Sequence, residues 1–389
     1  MKNCCSLLKI RSHRRQTGKV EVFFLVSQIV IWSGFKVQEQ LNQIPWIKVR
    51  IVLFPDYNEI FPNKNLNEFR NTLVDKGFEI CSGVDSQGKV ISRRQIISSP
   101  SFVFYESTNM NIPHKSWSIS KLAWSQLLMY IPYNIKVIDE PKAHYDQEIH
   151  NKSQTVFAES QWHEEQFKRF SRARGKNVKS FGSYKFESFD RRRQLSRSEK
   201  RKSILIAPHW TFRDQKIAIG DFDNYRKQID TLPILYPNLT FFFRPHPSWS
   251  TSILKLGLMS DETLAEYIRF WQSQENCNYV PNMDIDKFSD ISALITDSGS
   301  FIAEFLPTLV PMYLLHKRMK FNDFGQAIAN THYTTVDFSN SEMFIQKVVL
   351  QNDDPKIENR RDLMFSVSRD LIRSNFTSSL IGYLDDLSE

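Results

Sequence analysis

The chain has 389 residues, 41% of them hydrophobic and 24% charged, which is enough for two domains and excludes a disordered chain. Its net charge of +8 fits an anionic partner, whether nucleic acid, acidic lipid, a phosphorylated substrate or an anionic polymer. Its four cysteines form neither a metal spacing nor an even framework, and no run of about 18 apolar residues is present, so a cytoplasmic protein without a transmembrane helix is expected.

Residues 1–19 form a basic leader with no apolar core of signal-peptide length, which reads first as a frayed terminus and second as a membrane-surface arm. "VEVFFLVSQ" (20–28) is a dense apolar run of strand length. "SGFKVQEQLNQI" has helical spacing, and "IKVRIVLFP" (47–55) is again strand-like. Strand, helix, strand within about 35 residues is the signature of a parallel sheet. A helix ending at Gly77 follows, then a strand at 101–107 and a helix at 120–129 with Ser120 at or near its N-cap. A strand at 154–160, a helix from Glu159 to Arg172 and a short strand at 176–182 complete the series.

"DRRRQLSRSEKRK" (190–202) is polar, basic and without apolar period, so it reads as a linker between domains. A second series begins after it with "SILIAP" (203–208), "NLTFFFRPHP" (238–247), "ISALITDSGSFIAEFL" (291–306) and "VPMYLLH" (310–316). The expected organisation is an N-terminal Rossmann-like domain at 20–189, a C-terminal one at 203–340, and helices over 341–389 that pack back toward the first domain. Two such α/β domains are expected to face each other across a cleft, with ligands at the carboxyl ends of their strands.

Three polar motifs follow apolar strands in the second half. In "APHWTFRD" (207–214), His209, Thr211 and Arg213 stand out. In "FRPHP" (243–247), Arg244 offers a planar fork for phosphate, and His246 can protonate a departing phosphate oxygen or stabilise its charge. In "TDSGSFIAEF" (296–305), Asp297, Ser298, Gly299 and Ser300 fall where a helix begins, and Glu304 lies one turn further on. That turn reads either as a simple helix cap or as a phosphate cradle, and the two neighbouring motifs favour the cradle.

His144, His150 and His163 lack the spacing of a zinc helix, so no metal is expected. There is no G-x-G-x-x-G, Walker loop or G-x-S-x-G elbow, and no bound cofactor is implied. No nucleic-acid-binding signature appears, and the basic linker lacks interleaved aromatics.

At "ILIAPHWTFRD", "NLTFFFRPHP" and "ISALITDSGSFIAEFLPTLVPMYLL" the chain resembles the CDP-glycerol glycerophosphotransferases, the teichoic-acid polymerases and their capsule-polymer relatives. Upstream, "MYIPYNIKV", "HYDQEIHNKSQTVFAES" and "KNVKSFGSYKFESF" resemble the capsule branch, so the likeness spans roughly residues 20–340. The resemblance implies a GT-B architecture, a CDP-linked donor such as CDP-glycerol, a lipid-linked polymer acceptor and release of CMP. It implies that Arg244 and His246 meet the donor pyrophosphate, with Asp297, Ser298 and Ser300 on donor phosphate or ribose. It also implies work at the inner membrane face, where an anionic surface would attract the basic leader. The family's N-terminal His-Gly pair is absent, and His114 in "NIPHKS" is the stand-in the chain offers. The family's Gly-x-Pro-Lys reads Gly182-Ser183-Tyr184-Lys185. A GT-B glycosyltransferase using a nucleotide sugar and a non-catalytic module for an anionic polymer are the alternatives.

Overall fold

The computed structural model describes residues 4–27, 35–57, 66–105, 107–108, 110–186, 202–212, 219–281, 291–371 and 376–389. The chain forms two compact units. One comprises Met1–Asn134, Glu140–Glu187 and Arg369–Glu389; the other comprises Ile135–Asp139 and Ser188–Ser368. The basic stretch expected to be a linker lies, up to residue 201, outside the described residues.

The first unit holds seven parallel strands: β1 (Val20–Val26), β2 (Ile47–Leu53), β3 (Glu79–Ser82), β4 (Phe102–Tyr105), β5 (Leu127–Tyr130), β6 (Thr155–Ala158) and β7 (Val178–Ser180). Their order is β3-β2-β1-β4-β5-β6-β7, which reverses direction between β1 and β4. Helices cover both faces of such a sheet, so its central strands read as unbroken apolar runs. β1, β4, β5 and β6 are buried almost throughout, whereas the edge strands β3 and β7 are not. Phe24, Phe104 and Phe157 stack across the sheet, with centroids 4.8 and 6.4 Å apart.

The basic leader is not a frayed arm. Cys4–Thr17 is a helix whose Ile10 is buried, and its Arg14 lies 2.6 Å from Asp385 and 4.3 Å over the Trp46 ring. Asp385 belongs to the last helix, Phe376–Ser388, whose Phe376, Leu380 and Leu384 enter the same core as β1 and β2. The helix expected at 120–129 is shorter and earlier. It spans Ile119–Ser125 behind Ser118, which accepts from the Lys121 N–H, and Leu127–Tyr130 is strand β5. Likewise the helix expected from Glu159 to Arg172 is Gln161–Phe170, capped by Ser160.

The second unit holds six parallel strands: β8 (Ser203–Ala207), β9 (Thr240–Phe243), β10 (Cys277–Tyr279), β11 (Ala293–Thr296), β12 (Met312–Leu315) and β13 (Tyr333–Thr335). Their order, β10-β9-β8-β11-β12-β13, repeats that of the first sheet. A strap, Ile135–Asp139, belongs to this unit although it lies between β5 and β6 in sequence. Asn322 fixes it: the Asn322 N–H donates to Val137 O at 3.0 Å and its Nδ2 to Lys136 O at 2.9 Å. No helix among the described residues is long and apolar enough to cross a membrane.

Candidate functional site

β8 and β11 are neighbours, paired through Ala207 and Thr296, so the residues after them emerge side by side. The Thr296 hydroxyl ties the two strand ends by donating to Ala207 O at 2.6 Å and accepting the Ser298 N–H at 3.0 Å. Asp297 then holds three loop amides. Its Oδ1 accepts the His209 N–H at 2.6 Å, and its Oδ2 accepts the N–H groups of Asp221 and Phe222 at 2.6 and 2.8 Å. Burial pushes its pKa up to about 6, against the lowering effect of those amides. Asp297 thus clamps the loops after β8 rather than offering free oxygens to a donor.

Thr211 is also engaged. Its Oγ1 accepts the Gly220 N–H at 3.0 Å and the Ile219 N–H at 3.3 Å, and lies 2.8 Å from His209 Nδ1. With both amides pointing at the oxygen, the hydroxyl hydrogen goes to His209 Nδ1, which also accepts the Thr211 N–H at 3.2 Å. The neutral His209 ring therefore carries its proton on Nε2. Burial pushes its pKa down to about 3, although the side chain is partly exposed, so it is neutral near pH 7.

His246 repeats this arrangement on the next strand. Its Nδ1 accepts the Ser248 N–H at 3.1 Å, which leaves the proton on Nε2. Burial, then His209 and Arg244, hold its pKa well below the ordinary histidine value. The loop is anchored by Arg244 N–H on Ile206 O and His246 N–H on Pro208 O, at 2.9 and 3.0 Å. The two imidazole centroids lie 5.8 Å apart, with the Trp210 ring 5.7 Å from His209 and 6.1 Å from His246. The guanidinium of Arg244 lies 5.0 Å over the Phe301 ring, which brings the "FRPHP" loop to the helix Gly299–Phe305.

At that helix Ser298 is buried and Ser300 is partly exposed. Gly299 packs against the strap. A Cβ there would lie 3.0 Å from both Cγ1 and Cδ1 of Ile138, so the strap is what approaches its backbone. Glu304 is buried one turn on. Arg213 lies outside the described residues.

Sequence reasoning missed Asp221 and Arg318. Asp221 is fully buried and receives the Arg318 N–H at 2.9 Å, while Arg318 Nη1 donates to Gly220 O at 2.6 Å and Asp223 Oδ1 at 3.2 Å. "GDFDN" at a helix start was a readable cap signal; the basic partner lies in a loop 97 residues away with no local signature. A pocket of about 200 Å³ opens beside Phe212, Phe222 and Trp249, but none of the residues chosen from sequence lines it. No cluster of potential metal ligands occurs among the described residues.

No protein-family model and no curated protein matches the chain. Solved structures do match. The wall teichoic acid polymerase TagF aligns over 98% of this chain and 92% of its own, at a TM-score of 0.54 and 15% identity. Anabaena Alr3699/HepE, in complex with UDP and glucose, aligns over 94% and 99%, at 0.55 and 11%. S. aureus MnaA, in a co-structure with UDP, aligns over 88% and 90%, at 0.52 and 12%. With the two parallel sheets, these likenesses establish a two-domain Rossmann-like fold of the GT-B type.

Proposed function

We propose that the chain is a transferase that moves glycerol phosphate, or a related polyol phosphate, from a CDP-linked donor to a hydroxyl of a capsular or wall-polymer acceptor. The observation that carries this reading is the pair of neutral histidines, His209 and His246, each with Nδ1 accepting the backbone N–H two residues on, at adjacent strand ends beside Arg244. The resemblance at these motifs and the TagF structures, two of them soaked with CDPG, support the choice of donor.

In the reaction, the acceptor hydroxyl oxygen bonds to the phosphorus bearing glycerol as its proton passes to solvent. The bond from that phosphorus to the CMP oxygen breaks, and the electron pair leaves with CMP. Charge grows on the departing oxygens, and a donor aimed there stabilises the transition state more than the ground state. His246 and His209 suit this as hydrogen-bond donors. A neutral imidazole with Nδ1 engaged keeps its Nε2 proton, so neither acts as the base. Arg244 supplies the full positive charge for phosphate. Asp297, Thr211 and Arg318 position the loops, and Ser298 and Ser300 stand by for donor oxygens. The proposed acceptor is lipid-linked, which calls for work at an anionic membrane face.

The Anabaena structure with UDP and glucose favours a second reading, sugar transfer from a nucleotide sugar. One assay separates them. Purified protein with a synthetic polyol acceptor should release CMP from CDP-glycerol and no UDP from UDP-glucose. UDP release without CMP release would establish the sugar-transfer reading instead.

A further inference from the structure

Arg93 opens a short helix, Arg93–Ile96, on the stretch that follows β3 in the first unit. The residue is 9% exposed, and its Nε is buried without a hydrogen-bond partner. Among the described residues no carboxylate pairs with it, and the charge that acts on it is Arg94, of the same sign. Burial and Arg94 together lower its pKa. A guanidinium taken out of water without a counter-ion is unfavourable for the fold, whereas Glu21 and Glu79 balance Arg50 of β2.

What surrounds Arg93 is polar in a specific way. Its backbone N–H donates to Ser116 Oγ at 2.9 Å, and that hydroxyl lies 2.8 Å from His114 Nδ1. His114 Nδ1 also accepts the Ser116 N–H at 3.2 Å, so a neutral His114 keeps its proton on Nε2. This is the turn seen at His209 and His246, now in the first unit. Trp117 closes the group: its indole N–H donates to Ile91 O at 2.7 Å and its ring meets Phe54, just past β2, at 5.0 Å. These segments follow the carboxyl ends of β2, β3 and β4, where open α/β sheets bind ligands.

We propose that Arg93 and the Nε2–H of His114 form an oxyanion site for a phosphate or phosphodiester group. Arg suits such a group through its two-pronged fork, and Arg94 adds to the local positive charge. If the proposed function holds, the ligand is a phosphodiester of the acceptor, since the donor-binding motifs all lie in the other unit.

The test uses the full chain with three probes: inorganic phosphate, CMP and the phosphodiester of two glycerols, each read by calorimetric titration and thermal shift. Arg93→Met should melt at the same temperature as wild type or higher, because it removes an uncompensated buried charge. It should bind the diester on the order of tenfold more weakly or worse, with CMP affinity unchanged. Arg93→Lys should fold and also bind the diester more weakly, since it lacks the fork. Binding of inorganic phosphate but not the diester would assign the same site to a free phosphate. A lower melting temperature for Arg93→Met, or unaltered binding of both anions in the two variants, would overturn the site. Loss of CMP binding by wild type, with anion binding still dependent on Arg93, would overturn the proposed function and leave this site standing.

Discussion

His246 and Arg244 share a loop but differ in charge, and this separates their expected effects. A neutral Nε2–H matters most where charge builds up, so His246→Ala should lower turnover on the order of a hundredfold while donor affinity weakens modestly. Under the proposed function Arg244→Ala should weaken both, because its charge would meet phosphate in ground and transition states alike. Steady-state CMP release together with donor titration checks the pair; near-normal turnover in His246→Ala would remove it from the mechanism. His209 gives a pH test. Its folded pKa, about 3, lies below the ordinary 6.5, so the unfolded chain takes up a proton that the folded chain refuses. That contribution to stability is intact above pH 6.5 and is lost as pH falls below it. Melting temperature between pH 7 and 5 should therefore fall less steeply in His209→Gln than in wild type, and equal slopes would contradict the neutral ring. Sequence singled out the strand-end histidines and Arg244 because polar residues beside prolines stand out directly after an apolar run. Asp297 stood out in sequence at the strand end, but its hold on three loop amides did not. The amides of Asp221 and Phe222 on its Oδ2, and that of His209 on its Oδ1, come from more than 70 residues away, beyond any local pattern.

The strap Ile135–Asp139 is the element that sequence gave least sign of, and it explains two glycines. A Cβ at Gly299 would press on the Ile138 side chain, whereas one at Gly325 would lie 2.1 Å from the backbone oxygen of Val137. Gly299→Ala should therefore cost about 1–3 kcal/mol from overpacking, and Ile138→Ala in the same chain should recover part of it. Gly325→Ala meets backbone, so no side-chain change should rescue it. Denaturant melts of the singles and doubles test this; an unsuppressed Gly299→Ala would show that Ile138 is not the neighbour that matters. The long central strands were plain in sequence as apolar runs. β3, β10 and β13 were missed, since three or four residues at or near a sheet edge carry too little pattern. β5 was absorbed into a helix because "LLM" continues the apolar spacing of the turn before it.

On the scale of the whole molecule, the two ends of the chain stabilise the first unit together. The last helix buries Leu380 and Leu384 completely in the core around β1. Leu384→Ala should cost about 2–5 kcal/mol, seen as a lower denaturation midpoint of that unit. The leader helix spends Arg14 on Asp385, which reduces what it can offer an anionic surface. Any binding to anionic vesicles should still fall with added salt, at about 1 kcal/mol for each basic residue engaged; binding that resists salt would contradict a charge-based attachment. The repeated strand order of the two sheets accounts for the readable GT-B type of fold, while the donor is a matter of a few side chains at strand ends. The decisive measurement is therefore a nucleotide panel on the purified chain, read by thermal shift. CMP and CDP-glycerol should raise the melting temperature while uridine and guanosine nucleotides leave it unchanged. Stabilisation by UDP or UDP-glucose in place of the cytidine compounds would contradict the proposed donor.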